Sequence, residues 1–166
     1  MANTFVALAT VTVGSGGAAS IDFNSIPQTY TDLQLLISAR DNDGGYGSGL
    51  SLAFNGTSWG SNRELYSYNG SPGTGLTSGE SVGNGNGATA STFGNSSVYI
   101  PNYTDSNTKV ASGDGVSENN NANNVLLAFH AIKSTITAAI TSISINPGGT
   151  LFLQYSTATL YGIKNS

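Results

Sequence analysis

Cysteine is absent from this chain of 166 residues, so neither a disulfide framework nor a thiolate metal site is open to it. Charge is scarce too. Asp, Glu, Lys and Arg make up 8% of the residues, about a third of the share in an ordinary soluble domain. The cations are only Arg40, Arg63, Lys109, Lys133 and Lys164, scattered against a net charge of −4. Nucleic-acid binding draws on clustered cations that neutralise phosphates and release counterions, so no nucleic-acid partner is expected. The same scarcity argues against an anionic membrane surface. No apolar run approaches the ~20 residues that span a bilayer. The opening Met1-Ala2-Asn3-Thr4-Phe5-Val6-Ala7-Leu8 has no basic segment and alternates, which fits a first strand rather than a signal peptide.

What is present is small, polar and alternating. Gly, Ser, Thr and Asn fill about half of the chain, so its surface is solvated by hydroxyls and amides. Strand side chains point to opposite faces with a period of two, and that period recurs from end to end. Phe5, Ala7, Ala9, Val11 and Val13 share one face, as do Ile21 and Phe23, then Leu33, Leu35, Ile37 and Ala39, then Leu50, Leu52 and Phe54. Residues 65–68, 96–100, 108–116 and 142–146 add shorter strands, and 125–132 is apolar on both faces. The longest alternation runs from Leu151 to Ile163 and predicts one closing strand. Turn clusters separate these segments, among them 14–17, 41–45 and 147–149. The pattern predicts a single domain over 1–166, an all-β antiparallel double-sheet sandwich of jelly-roll type, with a long Gly/Ser/Asn-rich loop at about 69–90. Residues 133–140 have room for one turn of helix, but their Thr and Ile content disfavours it.

Few residues remain for chemistry. His130 is the sole histidine, set between Phe129 and Ala131, and reads as a strand residue before a base or metal ligand. Asp41-Asn42-Asp43-Gly44 has the start of a calcium loop, but the sixth and twelfth positions hold Tyr46 and Leu52 where an EF-hand needs Gly and Glu. A hairpin turn accounts for it better, so no metal and no cofactor is expected. Gly75-Leu76-Thr77-Ser78-Gly79 lacks the central Ser of a nucleophile elbow. Three Glu (Glu64, Glu80, Glu118) and six Asp, mostly beside turn residues, offer no pair of acids for glycoside hydrolysis. No catalytic residue is assigned, and no enzymatic activity is expected. Trp59, Tyr66, Tyr68, Tyr99 and Tyr103 read first as packing residues and second as platforms for sugar rings.

Three stretches taken together carry a resemblance. They are Gly16-Gly17-Ala18-Ala19-Ser20-Ile21-Asp22-Phe23 through Ile26-Pro27-Gln28-Thr29-Tyr30-Thr31-Asp32-Leu33, then Thr92-Phe93-Gly94-Asn95 through Val98-Tyr99-Ile100-Pro101-Asn102-Tyr103, and the ending Gln154 to Ile163. In this order the chain resembles a family of small virion structural proteins of tailed bacteriophages. The resemblance implies a particle component and carries no catalytic residue.

Two roles follow as expectations. The first is a capsid decoration (cement) protein on the outer surface of the phage head, a homotrimer that stabilises the shell through contacts with the major capsid protein or another virion protein. The alternative is a tail-fibre or receptor-binding module that recognises host glycans. A single domain with no shaft left over favours the first. Surplus apolar surface at Val125, Leu127, Phe129, Phe152 and Leu160 is the expected interface, because a sandwich sheet needs one apolar face only for its own core.

Overall fold

A chain that alternates apolar and polar residues over so many segments must stack its apolar faces against one another. The computed structural model describes residues 4–75, 79–121 and 125–164, and the regular structure there is entirely β. The strands are β1 (Phe5–Thr12), β2 (Ile21–Phe23), β3 (Asp32–Ala39), β4 (Gly47–Phe54), β5 (Thr57–Ser58), β6 (Ser61–Tyr68) and β7 (Ser71–Gly75). They continue with β8 (Ser81–Asn84), β9 (Gly94–Ile100), β10 (Val110–Val116), β11 (Leu126–Lys133), β12 (Ile143–Asn146) and β13 (Thr157–Ile163). Eight strands form one sheet in the order β1-β13-β3-β9-β10-β11-β6-β7. The other sheet has the order β2-β12-β4-β5, with β8 paired to β4. The ladders are antiparallel throughout. The antiparallel double-sheet sandwich is therefore as expected. Its strand number exceeds the eight of a simple jelly roll.

Register explains the core. Leu35 lies opposite Leu160 on one side and Val98 on the other, and all three are shut from solvent together with Leu33 and Ile100. The facing sheet supplies Ile21, Leu50, Leu52, Phe54, Ile143 and Ile145, all fully buried. The eight-stranded sheet is wider than its partner, and β8 fills part of the space beneath β10. Gly115 makes this approach workable, because a Cβ there would stand 2.4 Å from Ser96 Oγ and 2.9 Å from Val82 Cβ. The glycines that weaken β10 in the sequence pattern are what let a second layer reach its backbone.

Several expectations change. In β1 the register shifts between Ala7 and Ala9, so Phe5 and Ala7 face outward while Leu8 and Val11 pack on the core. A bulge adds one residue and thereby swaps faces. Leu151–Ile163 is not one strand. Phe152 pairs with Ala18 and with Asp41 as isolated bridges, Tyr155 turns the chain at φ 72°, and β13 starts at Thr157. The 69–90 segment is not a continuous loop either, since it holds β7 and the wholly buried β8. Residues 76–78 and 122–124 lie outside the described residues. No helix forms at 133–140.

Irregular backbone inside the sandwich needs partners, and three consecutive residues after β3 supply many of them. Arg40 is buried and donates to the carbonyls of Thr89 (2.7 Å), Ala88 (3.0 Å), Thr92 (3.3 Å) and Asn86 (3.3 Å). Asp41, fully buried, accepts from Ser48 Oγ at 2.5 Å and from the amides of Asp43, Gly148 and Gly149. Asn42 Oδ1 accepts from the amides of Thr150 and Leu151. Lys109 is a second hub at the other end, donating to the carbonyls of Asp105, Asn107 and Thr137 and to Asp105 Oδ1 at 3.0 Å.

Two stability outcomes follow. Leu35→Ala is expected to cost about 3 kcal/mol in urea unfolding, since it opens a cavity between two strands that cannot collapse freely. Arg40→Met should cost a similar ~3 kcal/mol by stranding four inward carbonyls. A loss below ~1 kcal/mol for Arg40→Met in the same measurement would show those carbonyls finding other partners.

Candidate functional site

The two faces of β11 diverge in character. Alternation turns Leu126, Ala128, His130 and Ile132 inward and Leu127, Phe129, Ala131 and Lys133 outward. Phe129 stands opposite Leu65 of β6 and Asp114 of β10, and Leu127 opposite Ser67 and Val116. The outward side chains are bare: Phe129 is 65% exposed, Leu65 61% and Leu127 46%. A depression of about 660 Å³ is lined by the outward-facing Arg63, Leu65, Thr74, Phe129 and Ala131, and also by Gly75 and by Glu64 and His130, which it shares with the cleft on the inward side. Farther across the same face Leu36 and Tyr99 are also exposed.

The inward side is different. Glu64, Tyr66 and Tyr68 of β6 share a face by the period of two, and Glu64 is paired directly with His130. With Ser81, Val82, Leu126, Gly49 and Gly79 they line a cleft of about 320 Å³. Tyr66 lies across Gly73 of β7, where a Cβ would come within 2.4 Å of the ring, so glycine is what lets the ring lie flat. His130 is 4% exposed, and neither ring nitrogen has a hydrogen-bond partner among the described residues. The buried Ser81 hydroxyl is likewise unpartnered. Burial pushes the His130 pKa below its ordinary value, against the opposing pull of the Asp114 carboxylate, so the ring is neutral at pH 7. Next to this cleft Glu80 accepts from Leu52 N at 2.9 Å and Asn62 Nδ2 at 3.1 Å. Burial raises its pKa despite those bonds.

The expected interface residues divide. Leu127 and Phe129 are exposed as anticipated. Val125 is half-buried just before β11, and its amide donates to Asn69 Oδ1 at 3.1 Å. Phe152 and Leu160, expected at the interface, are 0% and 1% exposed and belong to the core instead. The reason is the face that β13 presents: it pairs with β3 so that Leu160 meets inward-facing Leu35.

The aromatics separate as well. Tyr103 is fully buried and donates to Pro27 O, while Trp59 packs edge-on to Phe54 with centroids 4.1 Å apart. Tyr99 donates to Asp32 Oδ2 at 2.7 Å. Only Tyr66 and Tyr68 line the inner cleft. Asp41 is occupied by amides and Ser48, and no cluster of three His, Asp or Glu suited to a metal occurs among the described residues. The acids are less dispersed than expected, because Asn62 bonds Glu80 and shares the inward face of β6 with Glu64. That His130 shares a face with Ala128 and Ile132 was legible; that this face is the inner one, and that Glu64 stands opposite, was not, because register between distant strands leaves no local trace.

No family model matches the chain, and no curated protein or solved structure shows significant similarity to it.

His130 generates a pH prediction. Its folded pKa lies below the unfolded value of about 6.5, so the folded state binds fewer protons and loses stability as pH falls below ~6.5. Urea unfolding at about pH 7.5 and 5.5 should show the parent weakening relative to His130→Leu as pH drops. At the higher pH the variant should be at least as stable as the parent, because an apolar group replaces an unsatisfied polar one. A parent-minus-variant difference that stays constant across the two pH values would contradict the assignment.

Proposed function

We propose that this protein is a structural component of a tailed-bacteriophage particle, a capsid decoration protein whose copies pack together through the outer face of the eight-stranded sheet. The observation that carries the reading is the bare cluster of Leu65, Leu127 and Phe129 on a sheet whose other face already holds the core. Contiguous apolar surface of this kind is uncommon on monomers and marks contact with another protein. Further support is the ordered resemblance of the three sequence stretches to small phage virion proteins.

Charge favours the same reading. The flanking outward positions are Ser67, Thr74, Ser97 and Ser112, with Asp114, Arg63 and Lys133 the nearby charges. A mostly neutral polar rim packs against a partner with little ion desolvation. Self-association into a closed trimer covers the cluster without propagating into filaments, and three-fold symmetry fits the local three-fold positions of an icosahedral shell. The major capsid protein is the particle partner in this reading, and the role includes no catalytic step.

Phe129→Glu is the decisive variant, because the side chain is exposed and its loss leaves the core intact. Light scattering should give a trimer for the parent at micromolar concentration and a monomer for the variant, with unchanged circular dichroism. A monomeric parent overturns the self-association. Antibody labelling of particles should mark the head; a signal confined to the tail overturns the decoration role.

A further inference from the structure

We propose that the inner cleft beside His130 is a binding site for a neutral carbohydrate, with a pyranose ring seated against Tyr66 and Tyr68. This goes beyond the docking role, since cleft and docking cluster lie on opposite faces of β6 and β11. At about 320 Å³ the cleft falls in the range of small-molecule sites. Its walls combine the two features that sugars need. Tyr66 and Tyr68 offer aromatic faces for the C–H side of a ring, and both phenol hydroxyls lack a hydrogen-bond partner among the described residues. The floor supplies the Ser81 hydroxyl and the neutral His130 ring.

The orphaned polar atoms select the ligand class. Ser81 Oγ and both His130 nitrogens are shut from water and unpartnered, a state that native structures rarely leave unexplained. A neutral imidazole has one donor and one acceptor, and a hydroxyl has both. A sugar hydroxyl also donates and accepts, so it can answer all of them. An ammonium ligand only donates and leaves the donors unmet. Anions are disfavoured, because no Lys or Arg lines the cleft and Arg63 points to the opposite face. A ligand reaches the sealed atoms by displacing the half-buried Leu126 side chain, which lines the same cleft, while Tyr68 stays in place against the ring.

The single histidine makes the test selective, because its ring gives the only imidazole signals in a proton–nitrogen spectrum. Glucose, galactose and N-acetylglucosamine are titrated separately into the full chain to about 100 mM, which reaches Kd values in the millimolar range. At least one should shift the His130 signals saturably. Tyr68→Ala, folded by circular dichroism, should weaken that binding about fivefold or more, while Phe129→Glu leaves it unchanged. Phe129→Glu thus tests docking alone and Tyr68→Ala the cleft alone. No saturable shift with any of the three sugars overturns the inference, as does unaltered binding by Tyr68→Ala. A response to tetramethylammonium without one to sugars reassigns the cleft to cations and overturns it equally.

Discussion

The irregular backbone that closes the interior between β8 and β9 and after β12 depends on hydrogen bonding to Arg40, Asp41 and Asn42. Buried backbone amides and carbonyls must be paired, and here long connections dip between two sheets rather than skirting them. Arg40 collects carbonyls from the β8–β9 connection, while Asp41 and Asn42 collect amides from the chain after β12. Arg40 O accepts from the amide of Leu153, and its amide donates to Ser156 Oγ. One point on the chain thereby sets where β8 enters the interior and where Phe152 reaches the core. A protein with five Lys and Arg in all assigns two of them, Arg40 and Lys109, to internal carbonyl hubs. Their role is architectural, which leaves the surface still poorer in positive charge than composition alone implies.

The wide sheet separates two kinds of surface. Beneath β13, β3 and β9 the second sheet seals an apolar core. Toward β11, β6 and β7 that cover thins to β8 and its neighbours, and the inward positions become Asn62, Glu64, Tyr66 and His130. Buried polar groups cost stability unless satisfied, and His130 and Ser81 lack partners here, on the side of the interior where the cleft lies. On the reverse of the same strands, Leu65, Leu127 and Phe129 remain uncovered. A single pair of strands thus carries both candidate surfaces, and a substitution on one side need not disturb the other.

The departures from sequence expectation share a cause. In β1 a one-residue bulge exchanges inward and outward faces midway, and nothing in Phe5-Val6-Ala7-Leu8-Ala9 marks the extra residue. At the C-terminal end, alternation persists through Leu151–Ile163, yet Phe152 bridges Ala18 while Ala158 sits in β13. Parity survived and continuity did not. Val82 looked like part of a polar linker because its neighbours Ser81, Gly83 and Asn84 are small and polar, yet the strand, paired to β4, packs closely on the larger sheet where Gly83 meets Gly94.

The sequence by itself determined that the protein is an all-β sandwich, which residues share a face in the strands without a bulge, and that β11 is apolar on both sides. Those properties are local, set by the period of side chains along one strand. Only the tertiary structure decided which face of each strand is the inner one, that Leu160 meets Leu35 while Phe129 meets Leu65, and that His130 is sealed against Glu64. The reason is that register and sheet order arise from pairing between segments far apart in the chain. A shift of one residue in pairing reverses every side chain on a strand, and alternation reads the same in either case.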